Sequence, residues 1–267
     1  MTGQAGGEQH NAAPAPELTV QLSDDHVATV EINRPPSNYF SLGLIRELAD
    51  ACDELAASGD CRAIMLCSAG RVFCAGADFA AGPELSAGNG LHLYDVAARL
   101  FEQPLPIVAA IQGAAVGGGL GLAMAADFRV ASPQARFAAN FALLGIHQGF
   151  ALTVTLPAAI GQQAALDLLY TGRRVAGEEA LALGLADRVA EPAELRPQAH
   201  ALAAQVAAAA PLAVRSIRET MRGPLAEKAK KAMARERAEQ ERLMQTTDWR
   251  EGLAAVRDRR AAHFTGH

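Results

Sequence analysis

Two glycine-bearing segments, GRVFCAGAD from Gly70 to Asp78 and GAAVGGGLG from Gly113 to Gly121, each follow a short apolar run. Those runs, Ala63 to Cys67 and Ile107 to Ile111, are too short for ordinary helices and read as buried strands. Joints of this kind restrict the fold severely. Glycine admits backbone conformations and close approaches that a Cβ forbids, and the first turn of a following helix leaves its N–H groups without partners. Two such loops together read as the halves of an oxyanion hole, with backbone donors aimed at a carbonyl oxygen that gains negative charge. Each loop taken alone also fits an ordinary tight turn between a strand and a helix.

The rest of the chain supplies a frame for these loops. Leu18 to Ser23 and Val27 to Ile32 alternate in character around Asp24-Asp25-His26, which predicts a hairpin with one buried face. After the break RPPSN (Arg34 to Asn38), Leu44, Ile45, Leu48, Cys52 and Leu55 fall on one helical face, with Ser41 placed to cap it. Further apolar runs at Phe128 to Ala131 and Ala186 to Val189 continue the series. Short apolar runs separated by helical stretches predict parallel strands joined by crossovers. From Pro192 onward the residues favour helix, with breaks expected at Pro211 and at Gly223-Pro224, giving three or four amphipathic segments. The charged stretch Glu227 to Arg242 reads as a solvated helix with intrahelical ion pairs. The expected organisation is an α/β core over 17–191, a helical region over 192–267 that covers the site and carries oligomer contacts, and a disordered tail over 1–16.

A chain of 267 residues, half of them apolar, can bury one large core. Its net charge of −5 is spread among interleaved acids and bases, so no basic stripe points to nucleic acid or to a membrane surface. No apolar stretch reaches the ~20 residues that span a bilayer. Cys52, Cys61, Cys67 and Cys74 show no metal or redox spacing, which suits a reducing cytoplasm and gives no metal site. Cys74, beside the first glycine loop, reads as a small packed hydrophobe rather than a nucleophile.

The motifs RPPSN, VFCAGAD, AAVGGGLGLAMAADFRVAS (Ala114 to Ser132), LYTGRRVAGEEALALGLADRV (Leu169 to Val189) and EGLAAVRDRRAAHF (Glu251 to Phe264) occur in one order along the chain. In these segments it resembles the crotonase family, the enoyl-CoA hydratases and isomerases. The resemblance implies a spiral of repeated ββα units, a C-terminal helical region, trimers that pair into hexamers, and a coenzyme A thioester as substrate with no tightly bound cofactor. Position by position, it assigns the thioester oxygen to the backbone N–H groups of Ala77 and Gly118. It assigns the coenzyme A site to Ser37, to Ala75, Gly76, Ala77, Asp78 and Phe79, and to Gly117 and Gly118. Asp78 reads as structural, and Arg257, Arg259 and Arg260 as partners for phosphate or as a basic helix end.

The chain departs from the family's pattern at its acids. The two glutamates of a hydratase fall on Gly121 and Phe141, and neither side chain can transfer a proton. The acid of the Δ3,Δ2-enoyl-CoA isomerases also matches Phe141. The acids of the dehalogenase and dienoyl-CoA isomerase match Gly149, and that of the naphthoyl-CoA synthases lies at or near Gln148. In GIHQGF (Gly145 to Phe150), His147 is the one imidazole and reads either as a general base or as a histidine packed behind the site. Gln148 is a candidate for orienting water. Asn140 faces inward or ends a strand, and Glu84 is a replacement acid or a surface residue. Gly121, Phe141 and Phe150 are expected to line an apolar acyl pocket.

Three functions fit this sequence. The leading one is an acyl-CoA enzyme of the hydratase/isomerase group that stabilises a thioester enolate. The second is an acyl-CoA-binding homologue without turnover, and the third a hydrolase that uses His147.

Overall fold

The computed structural model describes residues 16–79 and 81–267, so the expected amino-terminal tail lies outside the described residues apart from Pro16. The predicted hairpin is present. Strand β1 (Leu18–Leu22) pairs antiparallel with β2 (Val27–Ile32), and His26 makes the turn with φ 64°. Helix α1 (Leu42–Ser58) starts where the sequence places it, the Ser41 hydroxyl accepting the Leu44 N–H at 3.2 Å. Its apolar stripe, Leu44, Ile45, Leu48, Cys52 and Leu55, is buried.

The apolar runs form the centre of the molecule. Strands β3 (Ala63–Ser68) and β4 (Ile107–Ile111) precede β5 (Ala114–Val116), β6 (Phe128–Ala131), β7 (Arg136–Ala138), β8 (Arg174–Ala176) and β9 (Arg188–Val189). One sheet has the order β1-β2-β3-β4-β6-β9, and every pair after the hairpin is parallel. A smaller sheet has the order β5-β7-β8. The expected run Ala186 to Val189 contributes only its last two residues to β9.

The continuous apolar character of β3 follows from burial on both faces. Ile64 and Leu66 point into the main core with α1 and α2 (Leu93–Glu102), whereas Ala63, Met65 and Cys67 pack on the opposite side against Leu195, Ala199 and Leu202. Each fully buried side chain of this size contributes about 1.5–3 kcal/mol. Helix α3 (Gly118–Ala125) is buried along nearly its whole length, and α4 (Leu152–Ile160), α5 (Gln162–Thr171) and α6 (Gly177–Leu183) complete the α/β part.

The helical region consists of α7 (Leu195–Ala207), α8 (Pro211–Leu243) and α9 (Thr247–Arg257). Helix α8 begins at Pro211 as expected, but it runs unbroken through Gly223-Pro224. A proline inside a helix costs roughly 3 kcal/mol, so both halves need other anchors. Upstream, Arg218 and Arg222 hold Asp127 at 3.0 and 3.2 Å, and Asp127 also accepts the Ile107 N–H at 2.8 Å. Downstream, α8 packs against α2 and α4, and Glu236 is fully buried there. The chain end folds back on α9, whose Asp248 carboxylate accepts the N–H groups of Thr265 and Gly266 at 2.7 and 2.9 Å. The Thr247 N–H donates to the His267 carbonyl at 2.7 Å. Among the described residues no helix is long and apolar enough to cross a membrane.

Candidate active site

The two glycine loops lie against each other because a ladder of backbone bonds stitches them. The Phe73 and Cys74 N–H groups both donate to the Ala114 carbonyl at 3.0 Å, and the Val116 N–H donates to the Cys74 carbonyl at 3.0 Å. A third segment joins them: the Phe40 N–H donates to the Gly76 carbonyl at 2.9 Å and the Ala75 N–H to the Ser37 carbonyl at 3.0 Å. Asn38 is fully buried and fastens the same loop, its amide donating to the carbonyls of Ala69 and Val72 at 2.8 and 2.6 Å.

This closeness explains the glycines. A Cβ on Gly119 would stand 2.0 Å from the Cys74 carbonyl oxygen, so no other residue fits there. Gly76, at φ 84°, would place a Cβ 2.9 Å from the Val116 oxygen and 3.3 Å from the Gly118 nitrogen. The first loop therefore passes directly over the amino terminus of α3. Neither the Ala77 nor the Gly118 N–H donates to a loop, turn or side-chain acceptor among the described residues.

Ala77 and Gly118 line one cavity of about 580 Å³, together with Ala75, Gly76, Asp78, Phe79 and Gly117. The structure thus brings together the residues of the two loops to which the resemblance assigns the thioester oxygen and the coenzyme A site. Tyr39, Asn140, Phe141 and Leu144 form further walls, and α9 supplies Arg250, Leu253, Ala254, Val256 and Arg257. Ser37 lies next door, in a cavity of about 690 Å³ that shares Tyr39 and Asp78 with the first and also includes Glu84. Cys74 is sealed under the loop, where burial pushes its thiol up to about 12 and removes it as a nucleophile.

Several expected residues lie elsewhere. The Gly121 backbone is buried, and a Cβ there would meet the Phe150 Cβ at 2.4 Å. Phe150 is itself fully buried, packed on Phe40 with ring centroids 5.5 Å apart, so of the three acyl-pocket residues only Phe141 lines the cavity. His147 and Gln148 do not line it either. The His147 Nδ1 is bonded to the Gln148 carbonyl at 2.8 Å, and its own carbonyl accepts from the Gln240 amide of α8 at 3.0 Å. Gln148 donates to the Thr153 hydroxyl at 3.2 Å. Gly149 faces Tyr94 and Gln240, whose side chains bond each other at 2.9 Å. Of the three arginines considered for phosphate, Arg257 lines the cavity and is paired with Asp258 at 2.8 Å, while Arg260 does not line it and is engaged by Glu251 at 2.5 and 2.8 Å. Arg250 and Tyr39 are lining residues that the sequence reading missed.

The description enoyl-CoA hydratase/isomerase belongs to a family whose sequence model matches residues 23–267. The chain belongs to that family. Relatives include the (E)-benzylidenesuccinyl-CoA hydratase of Thauera aromatica, 33% identical over 254 residues, which are 93% of this chain and 99% of the relative. An enoyl-CoA isomerase/hydratase of Zymoseptoria tritici is 34% identical over 261 residues, 90% of this chain and 84% of that one. Among solved structures of the family, an enoyl-CoA hydratase/isomerase from Pseudoalteromonas atlantica T6c superposes with a TM-score of 0.86 at 32% identity, covering 94% of this chain and all of the other. The crotonase-like architecture and the helical region expected from the motifs are therefore those of this family.

Proposed function

We propose that the chain binds a coenzyme A thioester in the cavity under the two glycine loops and stabilises the enolate formed at its α-carbon. The observations that support this reading are that Ala77 and Gly118 line one cavity and that neither backbone N–H has an acceptor among the described residues. Donors fixed in a rigid, partly dehydrated wall stabilise a developing oxyanion, each by roughly 3 kcal/mol. The adjoining cavity at Ser37 suits the pantetheine and nucleotide portions, and Arg250 and Arg257 at the mouth suit phosphate. The family names and the coenzyme A thioester in the name of the Thauera relative support the substrate class. Assembly into trimers or hexamers and a cytoplasmic location belong to the same reading.

The proton-transfer group differs from the two-glutamate arrangement. Gly121 and Phe141 occupy the positions where the resemblance puts those acids. Among the described lining residues the titratable side chains are Tyr39, Asp78, Arg250 and Arg257, with Asp78 the single carboxylate. This favours a second reading, a protein that holds acyl-CoA without turnover. The hydrolytic reading has less support, since His147 does not line the cavity and its Nδ1 is bonded to the Gln148 carbonyl at 2.8 Å.

Exchange of the α-protons of butyryl-CoA in deuterated water, followed by mass spectrometry, separates the two readings. Exchange together with turnover of 2-enoyl or 3-enoyl thioesters is the expected result. Binding without exchange would leave the holding function, and absence of binding would refute both.

A further inference from the structure

Among the described residues, Asn140 is the one side-chain amide in the wall of the cavity that Ala77 and Gly118 share. Strand register puts it there. β5 and β7 run parallel, with Ala114 opposite Arg136, Ala115 opposite Phe137 and Val116 opposite Ala138. The Gly117 N–H prolongs the ladder by donating to the Ala138 carbonyl at 2.8 Å. Two residues further along, Asn140 stands beside the start of α3. Its Oδ1 lies 3.4 Å from a Cβ built on Gly117, the residue directly before the Gly118 amide.

The backbone of Asn140 is fixed without help from its side chain. Its carbonyl accepts the Leu143 N–H at 3.1 Å, and its Cα lies 3.2 Å from a Cβ built on Gly172. An asparagine ahead of a turn ordinarily folds its side chain back onto nearby backbone N–H groups. Asn38 and Asn89 do so here, their side-chain oxygens accepting the Arg34 and Leu91 N–H groups at 2.9 and 3.2 Å. Among the described residues the Asn140 side chain has no hydrogen-bond partner. It is half-buried, and Val116, Phe141 and Leu144, which share this wall, are apolar. A ligand that fills the cavity strips water from the amide. A plain hydrocarbon chain offers nothing in return, and a polar group left unmatched costs more than a matched one gains.

We propose that Asn140 is a specificity-determining residue whose amide holds an oxygen carried by the acyl group close to its thioester, so that the site selects 3-hydroxyacyl or 3-oxoacyl groups over plain acyl chains. This rests on the thioester reading above, which takes the Gly118 amide as the anchor for the carbonyl and so sets the neighbouring carbons beside Asn140. The cavity at Ser37, assigned to the pantetheine and nucleotide portions, does not include Asn140. The amide both donates and accepts but does not titrate, so Asn140 binds and orients without moving a proton.

Calorimetric titration of the full chain with butyryl-, 3-hydroxybutyryl- and acetoacetyl-CoA reads the selection by binding alone. The wild type is expected to bind the oxygenated thioesters about tenfold more tightly than butyryl-CoA, and Asn140→Ala to bring all three within about twofold of one another. Asn140→Asp separates the two oxygens and stands in if the alanine variant does not fold. A carboxylate accepts from a hydroxyl but donates nothing, so this variant keeps the preference for 3-hydroxybutyryl-CoA and loses that for acetoacetyl-CoA. A wild-type preference for only one of the pair identifies which oxygen the amide holds. Equal affinity of the wild type for all three, or a preference that survives in Asn140→Ala, overturns the proposal while the thioester site stands. Selective binding without α-proton exchange keeps the proposal and removes only the enolate reading. No binding of any of the three overturns the thioester site and the role of Asn140 together.

Discussion

Replacing Gly76 by alanine separates the two demands that the active-site loop makes on this residue. The first is conformational: at φ 84° an alanine pays about 1–2 kcal/mol, less roughly 0.5 kcal/mol regained from the stiffer unfolded chain. The second is spatial, because the new Cβ would lie 2.9 Å from the Val116 oxygen and 3.3 Å from the Gly118 nitrogen, backbone atoms that cannot swing aside. Overpacking of this kind costs about 1–3 kcal/mol. Gly59 provides the control, since it has φ 77° and no atom within 4 Å of an added Cβ. Gly59→Ala should lose about 1 kcal/mol, or about 2–4 °C in melting temperature, and Gly76→Ala about 3 kcal/mol, or about 6–12 °C. Strain relieved by separating the loops moves the Ala77 and Gly118 amides apart, so acyl-CoA affinity should fall about tenfold or more in Gly76→Ala and stay unchanged in Gly59→Ala. Paired thermal melts and butyryl-CoA titrations read both quantities. Equal losses of stability in the two variants, with binding intact in both, would refute the close approach of the loops as the basis of the site.

Asp127→Asn should destabilise the fold by about 3–5 kcal/mol in urea titration, because it leaves the buried Arg218 and the half-buried Arg222 without their counter-charge. Burial, opposed by bonds from Thr153 and Ala151, raises the Glu236 carboxyl above its ordinary value. A raised acid stabilises the folded state below its unfolded value and loses that contribution as pH rises through the folded one, so the stability cost of Glu236→Gln should shrink between about pH 4 and neutrality. Denaturant midpoints across that range check the sign. Arg250→Ala and Arg257→Ala should each weaken coenzyme A binding and flatten its dependence on salt, whereas Arg260→Ala, whose partner is Glu251, should change neither.

Much of the fold is visible in local patterns. The hairpin, α1 with its Ser41 cap and the strands feeding the two glycine loops follow from alternation, helical spacing and buried runs. The Ala77–Gly118 juxtaposition is legible because Gly76 and Gly119 each meet a backbone atom of the other loop. What the sequence conceals depends on partners distant along it. Phe150 turns away from the cavity because it and Ala151 are both left-handed, φ 58° and 63°, and the Glu236 carboxylate that accepts the Ala151 N–H lies 85 positions away. Nothing in GIHQGF alone signals it. The break expected at Gly223-Pro224 fails for a similar reason, since α8 is tied to Asp127 on one side of the proline and packed on α2 and α4 on the other. Arg250 carries a readable signal: positions 250, 253, 254 and 257 share one helical face, and all four line the cavity.

That face of α9 has an unusual mounting. Its inner side presses on Leu144 and Gly145, where a Cβ on Gly252 would come within 2.3 Å of the Leu144 oxygen, and its first turn, anchored by the buried Trp249 against Phe79, is also latched by exposed bonds to Thr265, Gly266 and His267. Bonds open to water are the first to break in local fluctuations. The chain end that clasps this outer wall is thus the part that frays first, while the wall itself stays seated on a tight inner seam. Acid loosens the clasp, because backbone bonds from Thr265 hold the Asp248 carboxyl below its ordinary value, and protonation below that value releases the end of the chain.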